Sequence, residues 1–290
     1  MLNLRQKHFM VKMSMFKTQP ALVAVLGILI FTSVSVHAEP KMEVVTFKNG
    51  KLSLQGELYK PSGDGPFPVM FYNHGSAPGM LNSQAAGLIA PMYEAKGWAF
   101  FMPYRRGQGL SEKAGAYVSD EIDAAEKKGG EVAGAETMVS LLKGEQFSDQ
   151  MAALAWLKEQ KWVQKNRIAV SGNSFGGIET VLAVAKENYC GAVDASGGAE
   201  SWSKSPDLQK LMKNSVKNAH APIFFFQAEN DFDLSPSRVL SEEMKTAGKK
   251  AEIKIYPAFG KLAREGHSFA YRGVKDWFPD VFNFLQKNCE

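Results

Sequence analysis

The sequence predicts an α/β fold, a mostly parallel sheet with helices on both faces. Three features carry this expectation. Short apolar runs alternate with helical segments along most of the chain, and within each run apolar residues are nearly continuous, as expected of strands covered on both sides. A hairpin signal opens the series. In its middle a Gly-x-Ser-x-Gly turn joins one such run to a helical pattern, an arrangement that presents a serine at the end of a sheet.

The elements follow in order. Runs 44–47 and 52–59 flank Asn49-Gly50, a dipeptide that favours a tight hairpin and so an antiparallel start to the sheet. Strands are then expected at 68–72, 99–102, 168–171, 192–195, 222–227 and 252–256. Between them, Ser148 is an expected N-cap for a helix to about Gln160, with Met151, Leu154 and Leu157 at helical spacing. Trp277, Val281, Phe284 and Leu285 form the apolar stripe of a last helix. One segment breaks the rhythm: 112–147 is too long for an ordinary connection and carries helical patterns around 118–122 and 132–142, separated by Gly129-Gly130. Leaving the sheet after an early strand, it is expected to sit over the carboxyl ends of the strands, where open α/β sheets bind ligands. A lid on the site and a surface insertion are the two readings of it.

Residues 1–38 are expected to be a signal peptide. Arg5, Lys7, Lys12 and Lys17 supply positive charge, 21–31 is an unbroken apolar run, and Val36-His37-Ala38 offers small residues for cleavage. The competing reading is an uncleaved anchor, since 21–38 carries no charge. Cleavage leaves a single domain over 39–290 and no stable membrane insertion. The chain has 34 Lys+Arg against 30 Asp+Glu, and the leader accounts for the whole excess. A balanced remainder without a basic block excludes nucleic acid as an expected partner. Cys190 and Cys289 are the only cysteines. They lack metal-ligand spacing, and in an exported chain they are candidates for a disulfide, with two unpaired thiols as the alternative.

Gly172-Asn173-Ser174-Phe175-Gly176 follows the run 168–171 and opens a helical pattern over 177–187. This is the layout of a nucleophile elbow, whose flanking glycines let strand and helix pass closely. Serine needs a base, usually histidine, held in turn by a carboxylate, and in such folds the order is serine, acid, histidine. Five histidines are present: His8 and His37 fall in the leader and His74 precedes Ser174. His220 abuts the amino end of the run 222–227, opposite the elbow. His267, between the last strand and the last helix, is the expected base. The acid belongs in the loop Glu229-Asn230-Asp231-Phe232-Asp233, with Asp231 first and Asp233 second. The two donors needed by a tetrahedral oxyanion are assigned to the backbone N–H groups of Phe175, directly after the nucleophile, and Ser76, in the loop Asn73-His74-Gly75-Ser76. His74 itself reads as a structural loop residue.

Taken with the segment Tyr104-Arg105-Arg106-Gly107-Gln108-Gly109-Leu110-Ser111 and with Gly266-His267-Ser268-Phe269, these pieces make the chain resemble α/β-hydrolases of the dienelactone hydrolase and prolyl-oligopeptidase-like group, from about Lys41 to the C-terminus. The resemblance implies the α/β-hydrolase fold, a triad of Ser174, Asp231 and His267, and an oxyanion site at Ser76 and Phe175. Two positions depart from the pattern: Ser174 stands where dienelactone hydrolases proper use cysteine, and Tyr104 where many relatives carry aspartate. The expected function is an exported serine hydrolase, periplasmic or secreted, that cleaves a small carboxylic ester through an acyl-enzyme, without metal or cofactor. The alternatives are a small serine peptidase and a non-catalytic binding protein on a hydrolase scaffold. Relatives that cut peptides usually carry a large additional domain, for which 39–290 leaves no room.

Overall fold

The structure is a computed structural model and describes residues 42–290. The expected leader, 1–38, lies outside them. The chain begins with the hairpin β1 (Glu43–Asn49) and β2 (Leu52–Tyr59). Then come β3 (Phe67–Asn73), α1 (Leu81–Glu94) and β4 (Ala99–Pro103), a 3-10 turn (Gly109–Ala114), α2 (Val118–Lys143) and α3 (Glu145–Glu159). β5 (Val163–Asn173) runs into α4 (Phe175–Ala183), followed by β6 (Ala192–Ala195), α5 (Pro206–Lys217), β7 (Ile223–Ala228) and α6 (Ser235–Thr246). β8 (Ala251–Tyr256), the short α7 (Ala263–His267) and α8 (Phe269–Arg272), and α9 (Val274–Cys289) complete the chain.

The eight strands form one sheet in the order β1-β2-β4-β3-β5-β6-β7-β8, antiparallel at β1/β2 and β2/β4 and parallel elsewhere. Each parallel run of the sequence is a strand here. The hairpin turn is shifted by one residue: Asn49 pairs with Leu52, so Gly50 and Lys51 are the loop. Gly50 takes φ +56° at the first loop position, the hand that matches a twisted two-residue hairpin. α1, α8 and α9 cover one face of the sheet, where Ile89, Tyr93, Trp277 and Phe284 are buried. α2 to α6 cover the other, around Phe71, Leu142, Leu154, Val181 and Leu240.

The strand order decides where a site can form. From β3 the chain steps outward to β4, and from β5 it steps the other way to β6, so order reverses between the neighbours β3 and β5. The connections after these two strands leave toward opposite faces and open a crevice at their carboxyl ends. Asn73 and Gly172 are register partners at that edge. The loop 74–76 and the turn at Ser174 therefore start side by side, although a hundred residues separate them.

Two expectations about helices are corrected. Ser148 is not a cap: α3 starts at Glu145 behind Gly144, and the Ser148 hydroxyl accepts from Asn49 Nδ2 at 2.9 Å. The first two turns of α3 bury Gln146, Asp149 and Gln150, so apolar periodicity understates its length. The segment 112–147 breaks at Gly130, φ +78°, as its glycine pair predicts, but it is not separable from the core. Val118, Met138, Leu141 and Leu142 are buried in one cluster with the sheet residues Phe47 and Val170, because α2 packs on α3 and α5, the helices that cover this face.

Candidate active site

β5 ends in the turn that the glycines demand. A Cβ on Gly172 would lie 2.2 Å from the Gly176 carbonyl oxygen, and one on Gly176 would lie 2.0 Å from that of Asn73. Neither distance tolerates a side chain, so both positions exist to bring α4 against β3 and β5. Ser174 itself takes φ +55° and ψ −120°, an outlying conformation for a residue with a Cβ and one that persists only where surroundings enforce it. Here the Ser174 N–H donates to Ala195 O at 3.0 Å, and the Ser174 carbonyl accepts from Ile178 N at 3.1 Å. Beside it, Tyr72 donates its hydroxyl to Asn173 Oδ1 at 2.9 Å. The serine is thus held at the sheet edge, half-buried.

Asp231 and His267 meet from loops after β7 and β8. His267 Nδ1 lies 2.8 Å from Asp231 Oδ1, which also accepts from Phe232 N at 2.7 Å, while Asp231 Oδ2 accepts from Gln227 Nε2 at 2.9 Å. Asn230 stitches the two loops: its Nδ2 donates to Phe259 O and Leu262 O, both at 3.1 Å, and its Oδ1 accepts from Phe259 N at 2.8 Å. Burial works to raise the Asp231 carboxyl, but the hydrogen bonds and charge of His267 and the bond from Gln227 outweigh it, and the net shift is downward. Burial likewise disfavours charged His267, yet its bond to Asp231 dominates and raises it above the ordinary 6.5. An ionised carboxylate accepts, so Nδ1 carries the proton and Nε2 is the free base. Nε2 is buried and has no partner among the described residues.

The loop after β3 is held from behind. His74 is fully buried, accepts from Arg105 N on Nε2 at 3.3 Å and donates from Nδ1 to Gly75 O at 2.7 Å. Burial, and then the charge of Arg105, hold it well below the ordinary histidine range, so it stays neutral. Ser76 follows at the mouth of the crevice, and the Tyr117 hydroxyl donates to its carbonyl. Across from it, the N–H of Phe175 opens α4, where the first amides have no carbonyl within the helix to bind.

A cavity of about 440 Å³ is lined by Ser76, Ser174 and His267 together. Leu81, Ala85 and Leu88, at helical spacing on α1, make an apolar wall, and Glu200, Tyr271 and Arg272 stand on its other sides. No residue of 112–147 lines it; that segment reaches the site through Tyr117. Of the residues weighed for the acid and base, Asp233 is not at the histidine; its Oδ1 accepts from Ser235 N at 2.7 Å, in the turn that leads into α6. His220 is exposed at the amino end of β7. Asp194 is buried on β6 under the elbow, bound to Gly197 N at 2.8 Å. No motif in the sequence marks Asn230 and Arg105, whose roles are contacts between distant loops, or Gln227, whose amide braces Asp231 and Asp233 within one loop. Tyr104, at the position that departs from relatives, donates to buried Glu57 at 2.8 Å. Among the described residues no group of His, Cys, Asp and Glu could hold a metal ion, and no helix is long and apolar enough to cross a membrane.

At the amino edge of the sheet, Cys190 and Cys289 are bonded, with Cα atoms 4.8 Å apart. α9 returns from the site to that edge and brings Cys289 to the approach of β6.

An eight-stranded sheet with this reversal, elbow and covering helices is the α/β-hydrolase fold. Residues 88–288 match the model of the Dienelactone hydrolase family, and the chain belongs to that family. It is similar to YtmA of Bacillus subtilis, described as an uncharacterised peptidase, with 23% identity over 260 residues covering 79% of this chain and 88% of the relative. Among solved structures, an acylaminoacyl peptidase of Pyrococcus horikoshii superposes with a TM-score of 0.61 at 18% identity; the match covers 86% of this chain but 42% of the peptidase. An esterase of Pyrococcus furiosus gives 0.62 at 15% identity over 87% of this chain and 92% of the esterase. A putative dienelactone hydrolase of Klebsiella pneumoniae gives 0.61 at 15% identity, covering 85% and 98%. The protein is therefore a hydrolase by family, and its neighbours include both esterases and peptidases.

Proposed function

We propose that this hydrolase is an exported serine esterase that works through an acyl-enzyme on Ser174. The observation that carries the reading is His267 Nε2, a buried ring nitrogen without a partner, on an imidazole tied to Asp231 and lining one cavity with Ser174. A buried acceptor left unsatisfied is costly, and accepting the serine proton during attack is the use that such a nitrogen serves. Ser174 Oγ attacks the ester carbonyl as Nε2 takes its proton, and the N–H groups of Ser76 and Phe175 receive the oxyanion. The tetrahedral intermediate collapses, the C–O bond breaks, and the alcohol leaves with the proton from His267. Water, deprotonated by the same nitrogen, then attacks the acyl-enzyme and frees the acid and Ser174.

An ester with an apolar acyl group fits the wall formed by Leu81, Ala85 and Leu88. Export is supported by the disulfide, since such bonds persist in oxidising compartments. A second reading, an aminopeptidase, has one observation in its favour. Glu200 lines the cavity close enough for its charge to help raise His267, and a carboxylate there would pair with a substrate amino group. Labelling with a fluorophosphonate tests the nucleophile: a stoichiometric adduct on Ser174, absent in Ser174→Ala, is expected. Rates on p-nitrophenyl esters of increasing chain length, set against aminoacyl p-nitroanilides, separate the two substrate classes. Anilide turnover exceeding ester turnover would transfer the assignment to peptides.

A further inference from the structure

We propose that Arg105 is a positioning residue that fixes the aim and separation of the two oxyanion donors, an inference resting on the assignment of those donors to Ser76 and Phe175. Arg105 is 2% exposed and belongs to the Tyr-Arg-Arg-Gly segment after β4, for which the catalytic steps above have no use. Its guanidinium reaches both sides of the crevice. On one side Nη1 donates to His74 O at 2.9 Å and Nη2 to Gly75 O at 3.2 Å. On the other, Nη1 donates to Glu179 Oε2 at 2.7 Å, and the guanidinium carbon lies 4.9 Å from the centre of the Phe175 ring. Glu179 is one turn along α4 from Phe175, so both contacts grip the start of that helix.

The aim follows from peptide geometry. The bond between Gly75 and Ser76 is trans, so the Ser76 N–H points opposite to the Gly75 carbonyl. That carbonyl is drawn to the interior by Arg105 Nη2 and by His74 Nδ1 at 2.7 Å. The Ser76 N–H is thereby turned the other way, toward the cavity that Ser76 shares with Ser174. Gln108 completes the arrangement, its Oε1 accepting from Nη2 at 3.1 Å and so fixing the plane of the guanidinium. These contacts are spread over two nitrogens of one rigid plane, Nη1 on His74 O and Glu179 and Nη2 on Gly75 O, a span that the single nitrogen of an ammonium does not reproduce. If either carbonyl were released, the loop peptide could rotate and carry the N–H out of line. A donor misplaced in this way stabilises the transition state less while leaving ground-state binding nearly untouched.

Arg105→Lys is the test, because lysine keeps a positive charge for Glu179 but cannot fork to both carbonyls. The readouts are kcat and KM on p-nitrophenyl acetate, affinity for a trifluoromethyl ketone that forms a tetrahedral adduct, and the melting temperature. The expected result is a folded protein whose kcat falls about 10²-fold, the effect of losing an oxyanion donor. KM should stay nearly constant, and ketone affinity should weaken in step with kcat/KM. Should the lysine variant not fold, the double variant Arg105→Met, Glu179→Met replaces the buried pair by apolar chains and should show the same loss. A folded variant with unchanged kcat and ketone affinity, or one altered in KM alone, overturns the proposal. Fluorophosphonate labelling of the wild type keeps the two levels apart. An unlabelled Ser174 overturns the serine mechanism and this inference with it, whereas a labelled wild type beside a fully active Arg105→Lys overturns the positioning role only.

Discussion

Asp231→Asn isolates the carboxylate with almost no change in volume, and the hydrogen bonds around it show why no asparagine orientation can replace it. Two oxygens of Asp231 receive three donors: His267 Nδ1 and Phe232 N on Oδ1, and Gln227 Nε2 on Oδ2. If the amide nitrogen takes the place of Oδ1, it faces Nδ1 and Phe232 N–H, and His267 must move its proton to Nε2. The base is then blocked. If instead it takes the place of Oδ2, it meets Gln227 Nε2, donor against donor. Gln227 cannot turn over freely, because the same nitrogen donates to Asp233 O at 2.9 Å. Either arrangement loses the charge that stabilises protonated His267. By analogy with aspartate removal in serine triads, kcat should drop about 10⁴-fold, equivalent to about 5 kcal/mol of transition-state stabilisation. Asp233→Asn should stay within about threefold of wild type, since the asparagine side-chain oxygen can accept from Ser235 N in the same turn. Steady-state rates on p-nitrophenyl acetate for the two variants, with melting curves to confirm folding, make the comparison. A larger loss from Asp233→Asn, or a near-wild-type Asp231→Asn, would refute the assignment of the acid.

Other outcomes follow from the same structure. His267 is raised above 6.5 by Asp231 and must be neutral to accept a proton, so kcat/KM should fall on the acid side with a midpoint above 6.5, and a midpoint at or below that value would contradict the pairing. The stability linked to this pair has two edges: the His267 part is full below 6.5 and fades as pH rises through its raised value, whereas the Asp231 part holds above 3.8 and is lost as pH falls through its lowered one. Melting temperatures across pH should show both. Asp194, pushed up to about 7 by burial, opposes folding once ionised. The wild type loses stability as pH rises from 3.8 to about 7, so Asp194→Asn should gain on it by about 2 kcal/mol between pH 5.5 and pH 8.5, the part of the shift that lies above pH 5.5. Leu142→Ala, in the fully buried turn of α2, should cost about 2–5 kcal/mol, an outcome that a dispensable surface insertion would not give. Denatured, unreduced protein should titrate no free thiol, and Cys289→Ser, opening a loop with a sequence separation of 99, should cost about 2–5 kcal/mol.

The sequence by itself determined the order and identity of the strands, because each buried strand of a parallel sheet must be a short apolar run whatever surrounds it. Every strand from β3 to β7 was legible in this way, as was the turn at Ser174, whose glycines are dictated by contacts a few residues away; the edge strand β8 instead alternates Glu252 and Lys254 with Ile253 and Ile255. It also narrowed the histidine to His267 by counting, and ranked Asp231 above Asp233 by distance from β7. Tertiary structure decided what depends on pairs far apart in the chain. Asp231 rather than Asp233 faces His267 because Asn230 ties its loop to the one after β8, and no periodicity encodes that bond. Arg105 reads in sequence as one basic residue in a glycine-rich segment; only the reversal of strand order between β3 and β5 places it behind the loop of Ser76 and beside Glu179. α2 reads as an excursion because its first half is polar and exposed, and the helical pattern over 132–142 does not tell its exposed member Val132 from Leu142, which completes the core. Local patterns are set by a residue's immediate neighbours, whereas loop contacts and buried ion pairs form between segments that meet only once the sheet has closed.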